Sequence, residues 1–227
     1  MTNKNTCIVA CGQEMDINCR VIRWDEPEGF SFYNKKNYNS RNISLENLQD
    51  KLTCFVLHHS VTYRAKNTFN VLNARGLSVN FLIDDDDVDG YATIYQCLDI
   101  KDAGWSQGPF NNNGPGVEIS INQLANNTNL YSIENQNKYQ VTEHEKCIDI
   151  IHGQKISAYK PTLAQVNSLI SLLSGFCKVF PKINPSFPKD ENGDFIKTIC
   201  NLQNYSGLLN HYNITKNKID CCGLDLD

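Results

Sequence analysis

Short apolar runs separated by polar turns recur along the chain and predict a mixture of strands and helices. Residues 54–58 are almost continuously apolar, as in a strand that is buried on both faces. The longest helical pattern opens at Pro161, repeats apolar residues every three or four positions from Leu163, and stops at Pro181. Further strands are predicted at residues 7–11, 18–24, 77–83, 93–98, 116–121 and 207–211. This alternation indicates an α/β fold class.

Two shorter helices are predicted from the residues at their ends. Ser44 is a suitable N-cap for a helix that begins at residue 45, and Gly76 suits the position just beyond a helix at 68–75.

Residues 122–160 are polar without a clear period, so we expect a long surface excursion there. The acidic run 84–89 is expected to be a solvated hairpin loop rather than a calcium site, since its far end lacks an EF-hand-type carboxylate.

Composition and charge fit one folded domain with an extension. The 227 residues are 41% hydrophobic and 20% charged, which is enough to bury a core. We expect residues 1–50 to form an N-terminal extension packed on a main domain at 51–227. A net charge of −4 argues against broad binding to nucleic acid or anionic lipid, and no apolar run reaches transmembrane length. Neither a nucleic-acid partner nor membrane insertion is therefore expected.

Ten cysteines are scattered through the chain, without the spacing of a disulfide-stapled miniprotein. The first residues do not resemble a secretory signal, so we expect synthesis in the cytoplasm without a signal peptide. Reduced thiols packed as small hydrophobic groups are then the expected state. A metal site built from Cys7, Cys11 and Cys19 is disfavoured, because no CxxC pair supports it.

The five histidines can be weighed one by one. His58 and His59 end the buried strand, and His211 ends another apolar run. His211 is followed by Lys218 and Asp220, at spacings of seven and nine residues. Two imidazoles and one carboxylate, with an open fourth position, are typical of a catalytic zinc site. A histidine at a strand end is more often structural than a metal ligand. The spacing alone therefore leaves open both a structural role and a zinc site.

Five segments occur in an order that matches a known family pattern. They are FVLHHSVT at 55–62, RGLSVNFLID at 75–84, TIYQ at 93–96, NNNGPGVEI at 111–119, and GLLNH at 207–211 with KID at 218–220. Through these segments the chain resembles the zinc-dependent N-acetylmuramoyl-L-alanine amidases, a family that includes phage lysozyme-type amidases, muropeptide-recycling amidases and peptidoglycan recognition proteins. The resemblance covers residues 52–227 and implies a central mixed β-sheet flanked by helices, with a zinc groove at one sheet edge.

The resemblance implies a zinc ion (Zn²⁺) held by three residues, namely His58, His211 and Asp220. His58 is preferred over His59 because it occupies the family's ligand position, and alternation along a strand sends its neighbour to the other face. Cys221 stays open as an alternative to Asp220.

Two further residues match positions of the family that take part in catalysis. Glu118 matches the acidic residue that handles the proton of the attacking water in the recycling amidases. Lys218 matches the basic residue that supports the tetrahedral intermediate. The resemblance therefore implies metal-assisted amide hydrolysis, with zinc and Lys218 sharing the developing negative charge.

Three departures from the family pattern fall near the expected groove. Asn80 stands where the second strand commonly carries histidine, and Ser106 replaces the histidine of an A-W-H-A-G motif. The Pro-Gly after the last ligand is also missing. We expect Asn80, Trp105 and Ser106 to bind substrate, although Trp105 fits a half-buried core position equally well.

The implied function is hydrolysis of the amide bond between N-acetylmuramic acid and L-alanine, with bacterial peptidoglycan as partner. Abundant asparagine, typical of an AT-rich genome, and the missing export signal favour a phage or viral enzyme for lysis or wall penetration, which could be carried by a virion. The alternatives are a cytosolic muropeptide-recycling amidase, a non-catalytic peptidoglycan-binding protein, and a structural protein. Retention of the three ligands and Glu118 favours the enzyme.

Overall fold

The computed structural model describes residues 5–122, 125 and 129–225. In this part of the chain the strands are β1 (Cys7–Ala10), β2 (Gln13–Asp16), β3 (Val21–Arg23), β4 (Tyr38–Asn39), β5 (Cys54–His59), β6 (Phe81–Ile83), β7 (Ile94–Gln96), β8 (Ala103–Gly104), β9 (Gly116–Ile119), β10 (Lys146–Ile151), β11 (Gln154–Tyr159) and β12 (Gly207–Asn210). The α-helices are α1 (Leu45–Lys51), α2 (Ala65–Ala74), α3 (Ile133–Tyr139), α4 (Leu163–Val179) and α5 (His211–Ile214).

A six-stranded mixed sheet forms the centre of the described structure, in the order β12-β5-β9-β6-β7-β3. Strands β12, β5, β9 and β6 run parallel to one another. β7 is antiparallel to β6 and parallel to β3. All six residues of β5 are buried, as expected for a strand with neighbours on both edges and helices on both faces. The predicted α/β fold class, a mixed sheet flanked by helices, is confirmed.

The two faces of the sheet pack against different helices. On one face Phe55 lies edge-on against Phe176 of α4, with ring centroids 4.9 Å apart, and Leu57 belongs to the same core. On the opposite face Leu82 of β6 packs with Leu72 of α2. Both faces of the sheet are therefore covered by apolar side chains, which leaves the strand ends as the place for polar side chains.

Helix ends follow the capping signals in the sequence. The Ser44 hydroxyl accepts a hydrogen bond from the backbone N–H of Asn47, which caps α1 as predicted. Thr162 and Gln165 form a reciprocal capping box at the start of α4. Helix α4 ends at Val179, two residues before Pro181.

The segment 122–160, for which a surface excursion without a clear period was predicted, contains regular elements in the part that the structure describes. This part contains α3 and the antiparallel hairpin β10–β11, while residues 123–124 and 126–128 lie outside the described residues. The hairpin turn is made by His152 and Gly153, both with positive φ. Asn-Gly and Asp-Gly are the usual sequence signals for such a turn, so the pair His152-Gly153 did not predict it.

The acidic run lies in a hairpin loop, as predicted, and Asp87 and Asp89 are exposed, but its first two residues are not solvated. Asp84 and Asp85 are buried, although they do follow the first strand of a hairpin. Asp84 accepts hydrogen bonds from Arg64 Nε at 2.9 Å and from the backbone N–H of Ala65 at 2.7 Å, at the start of α2. Asp85 Oδ2 lies 3.0 Å from His144 Nε2. Burial is tolerated because each carboxylate has charged or polar partners.

The N-terminal segment contributes to the central sheet. β3 pairs with β7 as an edge strand, and Ile8 and Ala10 of β1 lie in the same core as Phe55. The division of the chain at residue 50 stays a prediction.

The cysteines and helices add two observations. Each of the ten cysteines carries a free thiol, and all ten are buried or half-buried. Among the described residues, no helix combines the length and the apolar character needed to cross a bilayer.

Candidate active site

Three polar side chains meet at the carboxyl ends of β5 and β12. His58 lies near the end of β5, and His211 directly follows β12. Because β12 pairs in parallel with β5, with Asn210 opposite Leu57, the next residue on each strand falls at the same sheet edge. Asp220 reaches the same point from the loop after α5, and all three side chains are buried.

The three donor atoms form a small triangle. His58 Nδ1 lies 2.9 Å from His211 Nδ1 and 3.2 Å from Asp220 Oδ2, and His211 Nδ1 lies 3.0 Å from Asp220 Oδ2. Ligands held at zinc distances in a tetrahedron stand about 3.3 Å apart. These atoms therefore fit a metal ion, and no second such group of His, Cys, Asp or Glu occurs among the described residues.

Burial and mutual contact set the protonation of this group. Burial lowers the pKa of His58 to about 4. Burial alone would raise the pKa of Asp220, but hydrogen bonds from His211 and His58 outweigh it and hold that pKa well below its usual range. A neutral imidazole at His58 and an ionised carboxylate at Asp220 are the forms that bind metal ions.

Glu118 lies on β9 beside this triangle. It is the register partner of His58 on the neighbouring strand and is 8% exposed. Burial and the nearby Asp220 raise its pKa to about 8, although Lys218 and Arg75 act in the opposite direction. A carboxyl group in such surroundings is a candidate for proton transfer near neutral pH.

A cleft of about 400 Å³ opens over these residues. Helix α2 lines one side, and residues 217–220 line another. Of the residues predicted from the sequence, six line the cleft: His58, His211, Asp220, Glu118, Lys218 and Ser106.

Two residues predicted to bind substrate lie outside the cleft lining. Trp105 is half-buried, and its indole Nε1 donates to Asn39 Oδ1 at 3.2 Å. Asn80 is completely buried, and its amide donates to the backbone carbonyls of Asp102 and Asp99. In this arrangement Asn80 has no surface to offer a substrate.

The two alternative ligands occupy different environments from the triangle. Cys221 is 1% exposed and packs into the main hydrophobic core. His59 is buried and lines the cleft, but it is not part of the triangle.

The hairpin β10–β11 holds the loop that carries Asp220, which the sequence analysis missed. Asp149 Oδ2 accepts a hydrogen bond of 2.9 Å from the backbone N–H of Gly223. Lys197 Nζ donates to the other oxygen of Asp149 at 2.7 Å. His152 Nε2 lies 3.0 Å from the carbonyl oxygen of Lys218. The hairpin therefore braces both ends of the segment that brings Lys218 and Asp220 to the cleft.

A comparison with protein families identifies the chain. The family model described as N-acetylmuramoyl-L-alanine amidase matches residues 48–220, which is most of the sequence. The chain belongs to this family. The matched range contains the whole triangle together with Glu118 and Lys218, so the candidate active site of this amidase-family chain lies entirely inside it.

Comparisons with solved structures and with curated proteins give weaker similarities than the family model. The crystal structure of AmpDH3 from Pseudomonas aeruginosa is similar, with 15% sequence identity and a TM-score of 0.42. The similarity covers 60% of this chain and 48% of that one, so the amidase-family chain spans about half the length of AmpDH3. A search of curated proteins finds none that matches.

Proposed function

We propose that the protein hydrolyses the amide bond between N-acetylmuramic acid and L-alanine in bacterial peptidoglycan, with zinc as its cofactor. One observation carries this proposal: His58, His211 and Asp220 present three ligand atoms to one point beside Glu118, in an open cleft. Membership of the amidase family supplies the substrate class.

The donor set suits zinc. Two imidazole nitrogens and one carboxylate oxygen are borderline ligands that zinc accepts, and three protein ligands leave a fourth position for water or substrate. A zinc ion held there supplies Lewis-acid chemistry, since it makes a water more acidic and polarises an amide carbonyl.

Glu118 would transfer the proton, and Lys218 would stabilise the developing negative charge. Glu118 would accept the proton of the attacking water at its carboxylate and deliver it to the departing alanine nitrogen. Positive charge added at the triangle lowers the pKa of Glu118 from about 8, which favours the ionised form that a base requires. The exposed ammonium group of Lys218, at the cleft, would stabilise the negative charge that develops on the carbonyl oxygen.

The biological setting that we propose is lysis or penetration of the bacterial wall by a phage or virus. The abundance of asparagine supports this setting. A cytosolic recycling amidase would act on soluble muropeptides instead, so relative rates on intact wall and on soluble fragments separate the two.

The experiment is digestion of purified peptidoglycan by the full chain loaded with zinc. Mass spectrometry should detect new L-alanine amino termini, and about one zinc should bind per chain. His211→Ala should abolish both the products and the bound zinc. Bound peptidoglycan without any new amino terminus would instead identify a non-catalytic binding protein and overturn the proposal.

A further inference from the structure

A second open cavity, of about 530 Å³, is built mainly by the N-terminal segment. Its lining includes Glu14 on β2, residues 23–25 at the end of β3, and the loop that carries Asp99, Lys101 and Asp102. We call it the N-terminal cavity. Most of its lining residues precede residue 48, where the match to the amidase family begins, and none of them lines the cleft. The family motifs therefore assign it no role.

An aromatic pair stands in the N-terminal cavity. Trp24 and Tyr33 both line it, with ring centroids 5.7 Å apart in an edge-to-face arrangement. The Tyr33 hydroxyl donates to Asp102 Oδ2 at 2.7 Å and accepts a hydrogen bond of 3.0 Å from the backbone N–H of Asp99. Trp24 is half-buried, and its indole N–H has no hydrogen-bond partner in residues 5–122, 125 and 129–225. The indole is therefore held by a fixed neighbour and keeps apolar surface for a ligand.

The carboxylates of the N-terminal cavity are engaged within the protein. Glu14 and Asp25 both pair with Arg23. Asp99 accepts hydrogen bonds of 2.8 Å from two backbone N–H groups in the turn between β1 and β2. Asp102 accepts from Tyr33 and from a backbone N–H. These contacts fix the carboxylate oxygens in place, and each carboxylate keeps lone pairs that can accept a further hydrogen bond.

The charges of the cavity select the class of ligand. Lys101 lines the cavity, and its ammonium group forms no hydrogen bond or ion pair with the side chains that the structure describes. The carboxylates disfavour an anionic ligand, whereas the unpaired ammonium disfavours a cationic one. A neutral ligand with an apolar face and several hydroxyl groups satisfies both conditions. Its face packs on Trp24, its hydroxyl groups donate to the carboxylates, and its oxygens accept from Lys101. Sugars have this chemistry.

A short path connects the N-terminal cavity to the cleft. Ser40 lines the cavity, and Asn39 before it accepts a hydrogen bond from the indole N–H of Trp105. Ser106, next to Trp105, lines the cleft. Because Asn39 pairs with Ala103 in strand register, chain geometry keeps the Cα atoms of Ser40 and Ser106 within about 20 Å of each other. A strand of several linked sugars is long enough to reach both sites.

We propose that the N-terminal cavity binds an N-acetylglucosamine unit of the peptidoglycan glycan strand, with Trp24 packing on the sugar ring and Lys101 donating to the acetamido oxygen. This inference rests on the proposed function for the identity of the polymer. N-acetylglucosamine is the unit of that strand without a lactyl group, so it carries no charge. A strand held in the cavity presents its muramoyl-peptide bonds to the cleft at a raised effective concentration.

The test is binding of the full chain to peptidoglycan glycan strands from which the peptides have been removed. This probe contains no bond that the proposed reaction cleaves. Calorimetric titration should detect binding to wild-type protein, and Trp24→Ala should weaken it at least about tenfold. Trp24→Phe should keep part of the affinity, because it keeps a ring. Lys101→Gln should weaken binding about tenfold, since a charge-assisted hydrogen bond is lost.

A control variant and a control sugar accompany this test. Tyr91→Ala removes another aromatic side chain, which is 36% exposed and lines neither the cavity nor the cleft, so it should bind like wild type. Maltotetraose is a neutral sugar chain without acetamido groups, and it should bind more weakly than the glycan strands. Equal binding of the two sugars through Trp24 would overturn the assignment to the wall strand.

Two further results would overturn the inference. One is a wild-type protein that binds neither sugar, and the other is unchanged affinity for the strands in Trp24→Ala. If Trp24→Ala fails to fold, as thermal unfolding would show, Lys101→Gln decides in its place, and unchanged affinity in that variant refutes the contact.

Failure of the proposed function would look different. A protein that binds the strands through Trp24 but releases no new L-alanine amino termini would refute the hydrolysis and keep the role of the cavity. A protein that hydrolyses the wall but binds the strands independently of Trp24 would refute the cavity alone.

Discussion

Glu118 lies directly opposite His58 on the neighbouring parallel strand, with β9 and β5 in register at these residues. Register partners on parallel strands point to the same face of a sheet, so the carboxyl group and the imidazole both reach the cleft. Strand pairing thus fixes a proton-transfer group next to a metal ligand. A base on a rigid strand keeps its distance to the metal site better than a base on a loop would.

Replacing Glu118 with glutamine should lower turnover without removing the metal. The amide keeps the size of the carboxyl group but cannot accept the proton of the attacking water. We expect kcat to fall by about a hundredfold or more, within the usual range for a general base. Steady-state kinetics and zinc analysis of the same sample check this. Near-normal turnover with zinc bound would assign proton transfer to another group.

The same variant should change how stability depends on pH in metal-free protein. Burial raises the folded-state pKa of Glu118 from 4.5 to about 8, so between these values the folded state binds more protons than the unfolded state. The carboxyl group therefore contributes stability that is complete below pH 4.5 and is lost as the pH rises through 8. Glu118→Gln should gain stability over wild type across this window, as measured by urea unfolding with a chelator. A difference that does not vary with pH would contradict the prediction.

Asp220→Ala should lower the zinc content, whereas Cys221→Ala should leave it unchanged. The first removes a donor atom of the triangle, so bound zinc should fall well below one per chain. The second removes a thiol that is buried in the core, so zinc should stay bound while the free energy of unfolding falls by about 1 kcal/mol. Elemental analysis and denaturation measure the two effects. Loss of zinc in Cys221→Ala alone would make the thiol the ligand.

Asp149→Ala should loosen the loop that carries Asp220. The buried backbone N–H of Gly223 loses its acceptor, which costs about 1–3 kcal/mol of unfolding free energy. Zinc affinity, measured by competition with a chelator, should fall as well. The control is Lys160→Gln, which breaks a surface ion pair with Glu145 worth less than about 1 kcal/mol. Equal zinc affinity in both variants would exclude a bracing role for the hairpin.

Ser106→Ala should affect substrate binding without affecting the fold. The Ser106 hydroxyl is buried at the cleft and has no hydrogen-bond partner among residues 5–122, 125 and 129–225. Because a buried hydroxyl without a partner is costly, its removal should leave the free energy of unfolding unchanged or raise it. If the hydroxyl binds substrate, as the sequence predicts, KM should rise several-fold without any loss of stability. An unchanged KM would leave Ser106 without a role in binding.

The sequence by itself determined the elements whose signals are local. An almost continuous apolar run indicated β5, the cap residue Ser44 marked the start of α1, and the apolar period from Leu163 indicated α4. A capping residue and a hydrophobic period act within one or two helical turns, so they can be recognised without knowing the rest of the fold. The family motifs likewise pointed to the residues that meet in the cleft.

Only the tertiary structure decided which charged side chains are buried and what they contact. Asp84 is paired with Arg64 at the start of α2, and Asp85 with a histidine 59 residues away. His58 and His211 are 153 residues apart and meet because β12 pairs with β5 in one register. The environment of a charge depends on partners that are distant in the sequence, because desolvation must be compensated by whatever the fold brings near. For the same reason, the contact between Asp149 and the loop that carries Asp220 could be recognised only in the folded chain.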